Sequence, residues 1–518
     1  MSDEELPGGW ATASIAQLTE FVTSGSRGWA EHYSDVGAVF LRVGNLDHDT
    51  LALDLADVAH VQPPAGAEGE RTRTRPGDIV LSITAEVGMV DVVAPTLANA
   101  YVSQHLALLR PAKGLDSAAF GYSLLDPTGL QKAAKSAQYG VTKPSLSLLQ
   151  VRGFTVPVPP VAEQRRIVAA LDSYLSRLDD AIANLERARR NLGRYRASVL
   201  QAAVEGRLVP TEAELARADG RAYEPADALL ARILTERKQR WAASGKRGKY
   251  EEPVAPDAAG LPDLPEGWCW ASVDQLAADE PQSLCDGPFG SNLKSDHYSD
   301  AGPRVVRLQN IGDGRFNDVA TYIPQAHFDT LTRHQVFAGD LVVASLGEVL
   351  PRACMVPSSL GPAIVKADCL RFKVSGDLAD ARYILTTLNS PPVRKAVSKR
   401  VHGIGRPRMG LGGFRETCVP LPPLAEQARI VAEVDRVLSV TATTEATISA
   451  QIVRVKRLRQ SVLKWAFEGK LVDQDPADEP AAVLLERIRD GRDGTTAQTA
   501  RAANKRQRKG LGVTTETP

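Results

Sequence analysis

The first 268 residues of this 518-residue chain contain no cysteine, and the five that follow (Cys269, Cys285, Cys354, Cys369, Cys418) include no close pair at metal-ligand spacing. If the two halves share a fold, a disulfide or zinc framework common to both is excluded, and five reduced, mostly buried thiols are expected. Long apolar runs are missing too. None approaches the ~20 residues of a membrane span, and the opening MSDEELPGGW is acidic with no apolar signal segment, so the cytoplasm is the expected location. Neither sign of charge is in excess: 62 Lys and Arg balance 62 Asp and Glu, which gives no bulk support for nucleic-acid binding. Phosphate-loop and dinucleotide signatures are absent, as are clustered histidines and any zinc-type ligand set. The chain is therefore expected to hold no metal or cofactor and to be catalytically silent when pure.

What the chain does contain is itself, twice. VPVPPVAEQRRIVAALD (Val156 to Asp172) returns as VPLPPLAEQARIVAEVD (Val419 to Asp435), an offset of 263 residues, and RASVLQAAVEGRLV (from Arg196) maps onto RQSVLKWAFEGKLV (from Arg459) at the same offset. Approximate two-fold symmetry follows. LPGGW at Leu6 and LPEGW at Leu264 open the two copies. The intervening stretches match only weakly: YSDVGAVFLRVGNL with YSDAGPRVVRLQNI, and RPGDIVLSITAEVG with FAGDLVVASLGEVL, the latter a β-branched run after a Gly-Asp turn. Helices are expected at Ala118 to Lys135 and Ala379 to Lys399. The expected fold class is α+β, with two β-rich domains (1–155 and 264–418) related by a pseudo-two-fold and separated by an antiparallel coiled coil of two long helices. These lie in helical regions 156–243 and 419–489, with an exposed linker at 244–263 and a basic, disordered tail at 490–518.

The helices are read from a heptad seam. From Glu163 to Val204 there is no proline, and Leu171, Leu175, Leu178, Ile182, Leu185, Leu192 and Val199 alternate spacings of four and three. Prolines before Glu163 and Gly206 after Val204 set the ends. The second copy runs from Glu426 to Phe467, and each helix should span about 60 Å. An apolar stripe must be buried, and the other copy is the obvious partner. Arg189 and Glu445 interrupt the seam and are expected to pair across it, unless they mark its solvent-exposed edge. Short helices at Glu224 to Leu234 and Glu479 to Arg489 should fold back onto the rod.

The order LPxGW, a weakly repeated domain with YSDxG and an Arg-x-x-Asn step, then PPxxEQxxIV leading a long helix that ends in EGxLV, all duplicated, resembles the specificity subunit of type I restriction-modification enzymes over roughly Leu6 to Arg489. GPFGSNLKSDHYSDAGPRVVRLQNI, from Gly287, is similar to that family's opening of a target recognition domain. The resemblance implies double-stranded DNA as a partner, with each domain reading one half of a split site and the rod setting the gap. It implies two modification subunits that carry S-adenosylmethionine and methylate adenine, and restriction subunits that use ATP and Mg. An interaction scaffold with protein-binding domains on a coiled-coil spacer is the other reading, and a self-contained nuclease or methyltransferase a third. Against the last, NSPPV at Asn389 only superficially resembles an adenine methyltransferase motif, and Glu86 and Glu348 align without a matching acid, base or metal ligand.

Arg or Lys suits guanine, Asn or Gln suits adenine, and phosphate contacts only position. The candidate DNA-binding residues are Arg27, Arg42, Asn45, Lys132, Lys135, Tyr139 and Lys143 in the first domain, and Asn292, Lys294, Arg307, Asn310, Lys399, Arg400, Arg406 and Arg408 in the second. Arg42 and Arg307 could instead serve fold-level hydrogen bonds. The densest cluster is the Gly-rich SKRVHGIGRPRMGLGG, from Ser398, where small residues admit phosphate and basic groups supply charge. Glu163, Gln164, Glu426 and Gln427 are expected to serve helix starts, by capping and dipole complementarity, and partner docking rather than catalysis.

Overall fold

A computed structural model describes residues 6–25, 27–47, 50–97, 99–138, 144–245, 248–399, 401 and 407–492. They form two compact units: Met1–Leu185 with Ala450–Pro518, and Glu186–Ser449. The tail expectation, 490–518, falls almost wholly outside the described residues.

Each unit carries the same sheet plan. In the first, an antiparallel sheet orders its strands Thr19–Ser24, Leu106–Pro111, Ile79–Ser82, Val90–Val92. The second unit repeats this as Leu284–Asp286, Cys369–Phe372, Leu341–Ala344, Arg352–Met355. A smaller mixed sheet lies beside each, with a parallel pair at Ala38–Leu41 and Tyr101–Val102 in one and at Ser299–Val306 and Ala363–Val365 in the other. The β-branched runs after the Gly-Asp turns are indeed central strands, buried throughout. That turn is there for a reason. Asp78 accepts from the Arg75 amide and pairs with Arg110 on the next strand, Nη2 to Oδ2 2.7 Å. Asp340 accepts from the Phe337 amide and pairs with Arg371, Nε to Oδ2 2.6 Å. Both arginines lie over an aromatic ring, Phe21 and Phe337, at 4.6 and 4.9 Å.

The expected single helices after each sheet are each two, Ser117–Leu125 with Leu130–Gln138 and Ala381–Leu388 with Pro391–Ser398. Pro127 and the Pro391–Pro392 pair, which cannot continue a preceding helix, account for the breaks.

The long helices run Val161–Val204 and Leu424–Phe467, each starting two residues earlier than the prolines suggested. In the first unit Ile167, Leu171 and Leu175 share a core with Val462, Leu463, Ala466 and Phe467. In the second, Val199 and Ala203 join Ile430, Val431, Val434 and Val437. The start of one helix therefore packs against the end of the other, as an antiparallel pair must. The expected Arg189 pairing is corrected. Glu445 meets Arg196, 3.7 Å away and one heptad beyond Arg189, which is exposed. The register is the cause, and Arg459 makes the corresponding reach to Asp179 in the first unit.

The EQ pair at each helix start does more than cap. Two-stranded antiparallel ladders, Ala11–Ser14 on Thr155–Val158 and Cys269–Ser272 on Cys418–Leu421, bring the LPxGW opening against the PPxxEQ segment. Trp10 Nε1 donates to Glu163 Oε2 at 2.9 Å, and Trp268 Nε1 to Glu426 Oε1 at 3.1 Å. Gln164 accepts from the Asp116 amide and donates to the Pro159 carbonyl; Gln427 does the same with Asp380 and Pro422. All four side chains are buried, so the expectation that they dock a partner is corrected: no face of them is left to offer. Burial pushes both glutamate carboxyls above their ordinary range, opposed by these hydrogen bonds. Because Glu426 also accepts from the Glu212 amide, Glu426→Ala leaves two buried donors unpaired. Urea denaturation should show a loss of about 2–4 kcal/mol.

The short helices share cores with the rod, Leu229 and Ile233 with Val199 and Ala203, and Leu484 and Ile488 with Val462 and Ala466, and each makes a further attachment. Helix Ala226–Ala243 begins with the Ala226 amide on the Gly267 carbonyl, and Arg237 donates to the Gln275 carbonyl. The helix over 481–492 begins with the Ala481 amide on Gly9, and Arg492 donates to the Thr19 carbonyl. Each therefore closes on an LPxGW opening, the first short helix on the second opening and the second on the first. The described residues of 244–263 are mostly exposed, yet the segment is strapped down: the Val254 amide donates to Asp274, the Val254 carbonyl accepts from Ser272, and Trp270 donates to the Pro262 carbonyl.

Three of the five cysteines are buried and two half-buried. Burial pushes the thiols of Cys269, Cys354 and Cys369 up to about 12 and that of Cys285 to about 11, which leaves them protonated and unreactive. Cys354 sits opposite Val342 just as Asp91 sits opposite Val80. The same strand position thus carries a thiol in one unit and a carboxyl in the other.

Candidate nucleic-acid interface

At one edge of each large sheet, loops converge in the same way. In the second unit the Ser345 amide donates to the Asp368 carbonyl, the Met409 amide to the Ser345 carbonyl, and the Gly347 amide to the Pro407 carbonyl. In the first, Ile83 donates to His105, Leu146 to Ile83, and Ala85 to Pro144. These bonds anchor the far end of each Gly-containing loop, whose own residues 139–143 and 402–406 lie outside the described set. Ala85 (φ +66°) and Gly347 (φ +144°) hold left-handed backbone at the same turn; for Ala85 this is a strained conformation, of a kind that persists where surroundings over-determine it.

A second close approach shapes the site. A Cβ on Gly25 would lie 2.2 Å from the Val102 carbonyl oxygen, and one on Gly287 2.1 Å from the Lys366 carbonyl carbon. Only glycine allows the chain leaving the first strand to lie flush on that backbone. Gly287→Ala should destabilise the second unit by about 1–3 kcal/mol, read as a lowered melting midpoint.

The sequence candidates separate by environment. Asn45 and Asn310 are corrections. Each is buried, accepts from the amide three residues earlier (Arg42, Arg307) and donates to two carbonyls, Asp54 and Asp57 or Asn317 and Val319. Their amides are consumed in bracing the 3-10 turns Val43–Asn45 and Leu308–Asn310, so no edge remains to read a base. Arg42 lies 3.8 Å from Asp57 and is half exposed. Arg307 lies 5.9 Å from the centre of the Tyr298 ring, where Lys366 Nζ also donates to the Tyr298 hydroxyl at 2.6 Å. Neither arginine lies within a strand; both cap these turns.

Arg27 and Lys132 are exposed, the latter on helix Leu130–Gln138. Asn292 and Lys294 are exposed on short turns; the Asn292 carbonyl bonds the His327 ring at 2.9 Å, and the Lys294 amide donates to His297. Lys399 and Arg408 share a cavity of about 360 Å³ with Val401 and Met409. Tyr139, Lys143, Arg400 and Arg406 lie outside the described residues, as does the side chain of Lys135. Sequence reading missed Phe289, Lys366 and Asp368. Phe289 stands inside the quoted GPFGS segment, an exposed aromatic between glycines, which was the available signal; Lys366 and Asp368 had none. Among the described residues no group of three or more potential metal ligands occurs, and no helix is long and apolar enough to cross a membrane. What the arrangement offers chemically is exposed guanidinium, ammonium and aromatic groups on anchored loops.

Comparison with known proteins places these features. Residues 69–187 match the type I restriction modification DNA specificity domain. The EcoKI specificity subunit of Escherichia coli K12 is 24% identical over 94% of this chain and 97% of its own length. The StySPI specificity subunit of Salmonella potsdam is 23% identical over 94% and 96%, and the EcoDI subunit of Escherichia coli 26% identical over 68% and 71%. A solved chain from work on complex assembly and conformational transition of the type I R-M system shares the fold, with TM-score 0.57 at 18% identity over 90% of this chain and 99% of that one.

Proposed function

We propose, for a chain that belongs to the family of type I restriction-modification specificity subunits, that it is the subunit that selects the DNA sequence: each β-rich domain reads one half of a bipartite site, and the duplicated helical frame sets the gap. The observation that carries this is the contrast between the two kinds of sequence. The Trp–Glu and Gln bridges of the frame recur in both units, while the anchored loops carry different side chains, such as Gln104 and His105 in one and Ala367 and Asp368 in the other. A frame held constant around dissimilar loops suits two unrelated half-sites, and half-site spacing on a duplex is a geometric constraint.

As a specificity subunit it is a non-catalytic component that acts with DNA and complex partners. The recognition domains are 1–155 and 264–418, and the helical regions 156–243 and 419–489 hold two modification subunits, through which restriction subunits join in the cytoplasm. S-adenosylmethionine, ATP and Mg belong to those partners. Zero net charge is compatible with this role, because one basic face per domain suffices when partner subunits complete the clamp.

Sequencing the methylated adenines of cells with and without the gene tests the reading. A split motif with a fixed gap that disappears with the gene is expected. An unchanged methylome, with no salt-sensitive DNA binding by the chain assembled with its modification subunits, would favour the protein-binding scaffold.

A further inference from the structure

The Gly-rich segment of the second unit carries a residue whose direction is set from four sides. Arg408 forms a β-bridge with Leu346. Its neighbours on both sides are tied to the same loop, Pro407 by the Gly347 amide at 3.2 Å and Met409, itself buried, to Ser345 at 2.8 Å. Its guanidinium lies 5.3 Å from the centre of the Phe289 ring and meets Asp368, Nη2 to Oδ1 2.7 Å. Phe289 is held where it is by the flush packing of Gly287 on the backbone of Lys366 and Ala367. Asp368 is held by its own carbonyl on the Ser345 amide and adopts φ +70°, a left-handed conformation unusual for a residue with a side chain.

These features do not stabilise much. The Arg408 side chain is 48% exposed and Phe289 47% exposed, so an ion pair and a ring contact here add little to folding. What they do is remove the rotamer freedom of a long side chain before anything binds. A guanidinium that lies over a ring and meets a carboxylate through one Nη still has donors left for a planar pair of acceptors. On a duplex, N7 and O6 of guanine offer such a pair in the major groove; a phosphate also offers two oxygens to the fork, and only the guanine contact carries sequence preference.

Resting on the specificity-subunit reading, we infer that Arg408 reads a guanine in the half-site of the second domain, with Asp368 and Phe289 as positioning residues that pre-orient its guanidinium. Among the described residues the first domain has no such device. Ser145 bridges Thr84 where Arg408 bridges Leu346, and Arg27 stands at the aligned position of Phe289. The two half-sites should therefore differ at the corresponding base.

The test uses the full chain assembled with its modification subunits, with Arg408→Ala, Arg408→Lys and Asp368→Asn compared by methylome sequencing and by DNA binding at several salt concentrations. Arg408→Ala should lower the preference for guanine at one position of one half-site by roughly 5- to 150-fold, with the other half-site, the gap and the salt slope unchanged. Arg408→Lys should lose much of that preference despite keeping the charge. Asp368→Asn should relax the same position alone, by a smaller factor, which a merely structural role would not do. Melting midpoints close to that of the unaltered chain would show that the variants fold. Weakening that is uniform across sequences, with a salt slope lower by about 1, would make Arg408 a phosphate contact and overturn the inference; so would unchanged specificity. A split motif in the unaltered complex keeps that failure distinct from failure of the specificity-subunit reading, which its absence would mark.

Discussion

Arg371→Met is expected to destabilise the second unit by about 3–5 kcal/mol, enough to unfold much of it, because it strands the buried Asp340 carboxylate. The pair is nearly inaccessible, with the side chains 6% and 3% exposed. Asp340 keeps only the Phe337 amide once the guanidinium is gone, and the Phe337 ring loses its cation. Asp340→Leu should be equally damaging, since it leaves Arg371 with one carbonyl, that of Gln282, as partner. The double variant Asp340→Leu with Arg371→Met should recover most of the loss, because two apolar groups of similar size need no compensation. Guanidinium denaturation of the three variants measures this, and additive losses in the double variant would show that the two side chains act independently.

Asp91→Asn is expected to stabilise the first unit at pH 8 and above, on the order of 5 kcal/mol. The Asp91 side chain is fully buried at the middle of a strand, and burial pushes its carboxyl up to about 8, opposed by a backbone hydrogen bond at Asp47, whose own carboxylate adds repulsion. The folded state therefore keeps a proton that the unfolded chain releases near pH 3.8. The contribution of this group to stability is fully present below about pH 4, falls as pH rises, and is exhausted once the folded carboxyl ionises near 8. The variant should flatten that slope. The second unit places Cys354 at the same strand position, a neutral side chain that tolerates the same surroundings, so Asp91→Cys should also lose the slope. Thermal melts between pH 4 and 9 decide the matter, and a slope that persists in both variants would locate it elsewhere.

The frame was legible in the sequence because its determinants are local or duplicated. A heptad seam, a proline block and a closing glycine lie within about 50 residues, and an exact offset repeats them. The reading of the EQ pair fell short for the opposite reason. Trp10 and Glu163 stand 153 residues apart, and no local pattern shows that a glutamate at a helix start receives an indole rather than its own first turn. Asn45 and Asn310 were misassigned because a polar residue at a strand end has the same sequence signature whether it faces a groove or braces a turn; burial alone separates the two. Register was likewise out of reach, since Arg189 and Arg196 occupy equivalent seam positions one heptad apart and only the packed helices distinguish them. Arg408 was visible as part of a basic run, but its neighbours Asp368 and Phe289 come from loops 40 and 119 residues away.

The closure of helix 481–492 on Gly9 means that the first unit is assembled from two separated stretches of chain. A ribosome making this protein finishes the continuous second unit before it delivers the piece that covers Trp10 and Leu171. At about 5–20 residues per second, the earlier-made strands wait some tens of seconds with an apolar face uncovered. The N-terminal half is therefore synthesised first and completed last, and during that interval it is the part of the nascent chain most in need of a chaperone.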